Sequence, residues 1–271
     1  MMKKRITAGI LIGFFLMLFI DIQISLHFLT VKRYEIKDSN LPASFSGYKI
    51  AQISDLHNAV FGENNSKIIK KVSAENPDII VLTGDIVDEN TKDFDSVIRL
   101  IRELSGIAPC YYVTGNHEAW IYKDYLPFEQ SASEYAVFLH NDSVKAERDG
   151  DFILIQGLDD PNYLYAFDDS VKKLSGQEGY KILLSHRPER FEDYAAGGFN
   201  LVLSGHTHGG QVRLPIIGAV VAPTQRFFPK YVSGLYSSGV TNMIVSDGLG
   251  TSVLPIRLNN PPEIVTVELT R

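Results

Sequence analysis

The sequence predicts an α/β fold, a single domain built on two packed sheets, and three observations carry that prediction. From Tyr48 onward, short runs of β-forming apolar residues alternate with segments of helical periodicity, the pattern of βαβ units around a largely parallel sheet. Five of those runs stop at an Asp, Asn or His, where open α/β sheets place their sites, at the carboxyl ends of the strands. No internal repeat, low-complexity tract or linker divides the chain, and its length suits one large domain.

In order, Val31 to Ile36 is a candidate first strand inside a connecting stretch, residues 31–47, that ends in a turn around Leu41-Pro42. Lys49 to Ile53 reads as a strand, Asn65 to Ala74 as a helix with Ile68, Ile69 and Val72 on one face, and Ile79 to Leu82 as a continuous apolar strand. Asp93 to Leu104 repeats the helical spacing with Phe94, Val97, Ile98 and Ile101, and Tyr111 to Val113 follows as a strand. The second half adds strands at Phe152 to Gln156, Lys181 to Leu184, Leu201 to Leu203, Met243 to Val245 and Ile264 to Val267, with helices expected at Leu126 to Leu139 and Pro188 to Ala195.

The first thirty residues differ in composition. Lys3, Lys4 and Arg5 precede an apolar run from Ile6 to Ile20, which Ile22, Ile24, Leu26, Phe28 and Leu29 extend and Asp21, Gln23 and His27 interrupt. A spanning helix needs ~20 residues, so residues 6–26 suffice if Asp21 lies near an interface. No small-x-small cleavage site follows, which favours an uncleaved signal anchor over residues 1–30 rather than a cleaved signal peptide. The basic start favours an N-terminus inside and an extracytoplasmic domain at 48–271, although Lys32, Arg33 and Lys37 nearly balance the charge on the other flank.

Composition also excludes partners. With a net charge of −6 and no basic stripe, the chain carries no footprint for a nucleic-acid polymer. Cys110 is the single cysteine, so there is no intramolecular disulfide and no thiolate cluster, and Cys110 itself reads as packing within a strand. Any metal must therefore be held by imidazole, carboxylate and amide, a donor set that suits Mn, Fe, Zn or Ni. Self-association is not expected.

The strings at the strand ends supply such a set. Asp55 and His57 stand two apart, as do His206 and His208; on an extended strand end, residues so spaced point to the same side and can share a cation. Asp85 follows Gly84, which permits a sharp turn, and its two oxygens can reach different ions. Asn116 offers an amide oxygen beside His117, a candidate ligand or proton donor, and His186 closes the Lys181 to Leu184 run. Taken singly, each reads equally well as a cap or a turn. Together, five of the seven histidines fall in these strings, the outline of a two-metal site.

Asp55-x-His57, Gly84-Asp85-x-x-Asp88, Gly115-Asn116-His117-Glu118, His186 and Gly205-His206-x-His208 together resemble the signature of the calcineurin-like metallophosphoesterase superfamily, from about Tyr48 to the end of the chain. Gly205-His206-Thr207-His208-Gly209-Gly210-Gln211, with Val232-Ser233-Gly234-Leu235-Tyr236, resembles further its membrane-anchored bacterial branch of YkuE-like and YaeI-like phosphodiesterases. The resemblance implies a four-layer α/β/β/α sandwich. It implies that Asp55, His57 and His208 hold one metal, that Asn116, His186 and His206 hold the other, and that Asp85 bridges them. It also implies that His117 acts as general acid or transition-state stabiliser, oriented by Asp88, while the metals activate a shared water for in-line attack on phosphorus.

Departures from the superfamily's patterns narrow the substrate. Protein Ser/Thr phosphatases carry Arg where this chain has Glu89 and Thr114, and purple acid phosphatases carry a Tyr where it has Ile86-Val87-Asp88. A phosphodiester is the expected substrate. The alternatives are a nucleotide-lipid pyrophosphate of the UDP-diacylglucosamine type, which would account for the anchor, and a metal-dependent scaffold without catalysis. Asp159-Asp160, His140 and Arg187 are candidates to shape the substrate pocket, and Arg226-Phe227-Phe228-Pro229 is a candidate lip.

Overall fold

Strands alternate with helices along most of the chain, and the alternation sorts its apolar residues into three separate cores. The computed structural model describes the chain except residues 1, 164–165, 215, 220, 223–224, 228 and 252–255, and does not describe the side chains of 2–10, 14, 221, 226 and 227. The candidate lip at 226–229 falls largely outside the described side chains.

Helix α1 (Met2–His27) leads into β1 (Thr30–Lys37), β2 (Tyr48–Ile53), α2 (Ser66–Glu75), β3 (Ile79–Thr83), α3 (Asp95–Ser105) and β4 (Cys110–Val113). Then come α4 (Asn116–Trp120), α5 (Tyr122–Ala132), β5 (Ala136–Phe138), β6 (Asp142–Arg148), β7 (Asp151–Leu158), α6 (Phe167–Ser175), β8 (Tyr180–Ser185), α7 (Phe191–Ala196) and β9 (Leu201–Ser204). Two small hairpins follow, β10 (Arg213–Leu214) with β11 (Gly218–Ala219) and β12 (Val221–Ala222) with β13 (Arg226–Phe227), before β14 (Gly234–Ser238), β15 (Thr241–Val245) and β16 (Glu263–Thr270).

One six-stranded sheet has the order β1-β16-β2-β3-β4-β5 and the other β14-β15-β9-β8-β7-β6. The run β2 to β5 is parallel, as is β15-β9-β8-β7, so in each sheet the strand ends that carry the candidate ligands point the same way. Alternate side chains leave opposite faces of a strand. In β3, Ile79 and Val81 enter the core between the sheets, whereas Ile80 and Leu82 enter the core shared with α2, α3 and α5. In β9, Leu201 and Leu203 face the first sheet while Val202 joins Phe167, Phe191 and Tyr194 of α6 and α7 in the third core. Three cores between four layers make an α/β/β/α sandwich.

Three expectations change. The helix expected over Leu126 to Leu139 begins earlier and stops at Ala132, and Ala136–Phe138 pairs with β4 instead. Ser131 and Ser133 donate their hydroxyls to the carbonyls of Pro127 and Gln130, the local bonding with which Ser competes against a continuing helix. The first strand is no connector, since β1 pairs along its whole length with β16. As to a spanning helix, among the described residues no helix is long and apolar enough to cross a membrane. Helix α1 nevertheless leaves Leu11, Ile12, Leu16, Met17, Phe19, Ile20 and Ile24 exposed. Its last turns dock on the domain, Asn259 donating its backbone N–H to Asp21 Oδ2 at 2.7 Å and Asn260 its own to Ser25 Oγ at 3.3 Å.

Candidate metal centre

The ligand strings lie at strand ends as expected, but not in the expected backbone conformation. Asp55, His57, Asp85, His206 and His208 all have φ between 46° and 73°, in the left-handed region. Their strands have already ended, and the chain curls back so that side chains two apart converge by turning rather than by extension. Asp and His enter this region more readily than branched residues, whose side chains it crowds. The curls are fastened to one another: Asp55 N–H donates to Gly84 O at 3.0 Å, His57 N–H to Asp85 O at 3.0 Å, and His206 N–H to Asp55 Oδ1 at 2.9 Å. Two glycines permit this crowding. A Cβ on Gly205 would stand 2.2 Å from Asp55 Oδ2, and one on Gly115 would stand 2.2 Å from Asp85 Oδ1.

The side chains form two buried groups, Asp55 with His57 and His208, and Asp85 with His186 and His206. In the first, Nε2 of His57 and Nε2 of His208 face each other at 3.1 Å, and His208 Nε2 is 3.5 Å from Asp55 Oδ1. In the second, His186 Nδ1–H donates to Thr83 O at 2.8 Å, which turns Nε2 toward Asp85 Oδ2, 3.1 Å away, the nitrogen a cation would take in exchange for its proton. That same Asp85 oxygen lies 3.8 Å from His57 Nε2, between the groups, while Oδ1 accepts the His117 N–H at 2.9 Å.

The donors fit a pair of cations. Asn116 Oδ1 is fully buried without a hydrogen-bond partner, a costly state for a polar atom unless something binds it. Arg187 Nη1–H donates to His206 Nε2 at 2.9 Å, which puts the ring proton on Nδ1, so a cation on either nitrogen must displace a proton or this contact. The charges also compete for a cation. Burial opposes ionisation of both Asp85 and His186, yet their mutual attraction brings Asp85 well below the usual carboxylate range and raises His186 to about 10. Burial holds His206 and His208 well below the ordinary imidazole value.

His117 sits beside the first group, its ring centroid 4.5 Å from that of His57. Its Nδ1 accepts the Glu89 backbone N–H at 3.2 Å, so a neutral His117 carries its proton on Nε2. The expected pairing with Asp88 is only partly present. Asp88 Oδ2 lies 3.5 Å from His117 Nδ1 and 3.4 Å from His57 Nδ1, so the carboxylate faces both rings while a backbone amide fixes the His117 tautomer.

The profile of the calcineurin-like phosphoesterases matches residues 48–210, from β2 through the last ligand string. The chain belongs to this family. It is 33% identical to the metallophosphoesterase YkuE of Bacillus subtilis over 90% of this chain and 86% of that protein, and 30% identical to the phosphodiesterase YaeI of Escherichia coli over 82% of each. In fold it is similar to a dimetal phosphatase from Danio rerio, with a TM-score of 0.52 at 10% identity, covering 83% of this chain and 94% of that one.

Three residues outside the ligand set hold the metallophosphoesterase site together. Glu118, fully buried, accepts the backbone N–H groups of Asp85 at 2.9 Å, Ile86 at 2.8 Å and Gly115 at 2.8 Å, and the Tyr112 hydroxyl at 2.7 Å. One carboxylate thus ties the Asp85 curl to the Asn116 strand end. The signal was available in the string Gly115-Asn116-His117-Glu118, but only its Asn and His suggested chemistry. Asn260 donates Nδ2–H to the His208 carbonyl at 2.6 Å and receives α1 through Ser25, and Arg257, also buried, donates to Gly250 O and Asp247 O. Nothing in the sequence near these last two points to the site.

The pocket candidates bind one another. Arg187 forks onto Asp160 at 2.5 and 2.9 Å, and His140 sits between Asp159 at 2.9 Å and Glu129 at 2.8 Å.

Two tests follow from this scaffold. Glu118→Ala orphans several buried donors at once, each costing about 1–3 kcal/mol, so urea denaturation is expected to show a loss above about 3 kcal/mol; an unchanged midpoint would contradict the role given to Glu118. Hydrogen bonds donated by His140 to Asp159 and then to Glu129 raise its pKa to about 10, above its ordinary 6.5. Stability from this charged triad is therefore complete below about pH 6.5 and is lost as pH rises through about 10. The melting temperature of His140→Gln should converge on that of the parent over this window, and a difference constant from pH 6 to pH 10.5 would refute the assignment.

Proposed function

We propose that this metallophosphoesterase hydrolyses phosphodiesters, with His117 as the proton donor to the leaving oxygen. The observation that carries the reading is Asp85 Oδ2, 3.1 Å from one group's His186 Nε2 and 3.8 Å from the other group's His57 Nε2, a single oxygen shared by two donor sets. Asp55, His57 and His208 would hold one cation and Asn116, His186 and His206 the other, with Asp85 common to both. Mn, Fe, Zn and Ni all suit these donors. When bound, such a pair supplies Lewis-acid polarisation of phosphoryl oxygens and a nucleophilic water at neutral pH.

The chain's own residues do the rest. Glu118 fixes the backbone on which Asp85 and Asn116 stand, so the donors need little reorganisation. The acid is the His117 imidazolium, in which Nδ1–H turns to Asp88 Oδ2, 3.5 Å away, in place of accepting the Glu89 N–H, and Nε2–H is left to meet a leaving oxygen; the ring is neutral once that proton has passed. Thr114 stands where an arginine would favour a phosphoprotein, and it is engaged with Asp159. The name of the YaeI relative points to the same substrate class.

The exposed apolar residues of α1 favour attachment to a membrane, and the basic start at Lys3-Lys4-Arg5 is what favours the extracytoplasmic side for the domain. The same helix favours a second reading, a lipid-borne pyrophosphate substrate, because its docking point on Asn260 is one residue contact from His208.

The test is a panel of a phosphomonoester, a phosphodiester and a nucleotide-lipid pyrophosphate with the Mn-loaded protein, its metal content quantified. The diester is expected to turn over fastest. His117→Ala should lose about 10²–10⁴-fold in turnover while keeping its metal. Normal turnover in that variant, or turnover confined to the monoester, would overturn the reading.

A further inference from the structure

We propose that Trp120 forms a binding platform for a flat ring on the leaving group, an inference that rests on the phosphodiesterase reading above. Helix α4 is a single turn, and its residues divide the work of the site. Asn116, His117 and Glu118 are all buried, in turn a metal-ligand candidate, the proton donor and the carboxylate that ties the loops together. Residues three apart on a helical turn share a face. Trp120 therefore lies over His117, with ring centroids 4.7 Å apart at 49°, while 56% of its surface remains exposed.

The rings make a row. His57, a metal-ligand candidate, meets His117 edge-on at 4.5 Å, and His117 meets Trp120 at 4.7 Å. Passing outward from the donor groups, the order is ligand, proton donor, indole, solvent. A substrate whose phosphoryl group sits among the donors must direct its leaving oxygen toward His117. Whatever that oxygen carries then continues along the row and meets the indole.

A single exposed aromatic is ordinary on a protein surface, and exposure alone would say nothing. What distinguishes Trp120 is that its buried edge rests on the group that protonates the leaving oxygen. An indole face favours flat rings over puckered or linear groups of the same carbon count, because offset stacking of two π systems adds to the burial that any apolar group would gain. The leaving group selected is accordingly an aryl or nucleobase-bearing alcohol. No bond to Trp120 forms or breaks; it acts on binding and orientation, as a specificity residue.

Trp120 is also the sole tryptophan of the chain, so indole fluorescence reports this position and no other. The experiment uses the full-length, Mn-loaded protein and two probes of equal charge and carbon number, methyl(2-phenylethyl)phosphinate and methyl(2-cyclohexylethyl)phosphinate, which are inert because CH2 replaces the leaving oxygen. The phenyl probe is expected to shift and quench the indole emission and, by calorimetry, to bind about 5- to 10-fold more tightly than the cyclohexyl probe. Trp120→Ala should abolish that preference, weakening the phenyl probe more than the cyclohexyl probe, and Trp120→Phe should retain most of it.

Equal affinities for the two probes, or a preference that survives in Trp120→Ala, would overturn the platform while turnover of simple diesters kept the hydrolase reading intact. If neither probe binds and no phosphate ester is turned over, both fail together.

Discussion

The site depends on one buried carboxylate pair, Glu118 beneath Asp85. Asp85 reaches toward His186 on one side and His57 on the other, and its backbone is fixed by Glu118, which grips the amides of Asp85, Ile86 and Gly115. Two acidic groups so close in a dry interior repel each other, and burial and then the Asp85 charge raise Glu118 above its ordinary value. The arrangement persists because neither carboxylate lacks partners. Amides and the Tyr112 hydroxyl surround one, while imidazoles and the His117 amide surround the other. Cations at the donor groups would relieve the remaining repulsion, which couples metal binding to the stability of the loops.

The strained backbone has the same logic. Asp55, His57, Asp85, His206 and His208 each occupy a conformation that costs an L-residue about 1–2 kcal/mol. Five such residues in three loops are tolerable because those loops are laced by hydrogen bonds from one curl to the next and backed by the core between the two sheets. Strain of this kind is typical where side chains must converge on one point. The sandwich packs two parallel strand sets face to face, and the left-handed curls beyond their strand ends turn the last residues inward. Helix α1 enters this arrangement from outside, since Asn260 contacts both Ser25 and the His208 carbonyl.

Much of this was legible in the sequence, for identifiable reasons. The parallel strands β3, β4, β8 and β9 are largely buried on both faces and so read as near-continuous apolar runs, and each stops close to a polar residue that the fold cannot bury idly. Strand β6 was missed because it is a charged edge strand, Asp142 to Arg148, whose apolar alternation is only Val144 and Ala146. Spacing two apart correctly paired Asp55 with His57, but for the wrong geometric reason, since no local pattern announces a left-handed turn. Glu118 was hidden by its neighbours, whose chemistry drew the eye. Asn260 and Arg257 act through backbone carbonyls at long range, and a hydrogen bond of that kind leaves no trace in composition or period. The role of Asp88 toward His117 came from resemblance, and the geometry divides it between two rings.

On the proposed function, the Asp85 carboxylate would be common to two cation sites. Metal content by mass spectrometry, after equilibration with Mn and removal of free ion, tests it most directly. The parent should hold about two equivalents, Asp55→Ala and Asn116→Ala about one each, and Asp85→Ala less than either. An Asp85→Ala protein that still held two equivalents would contradict the account.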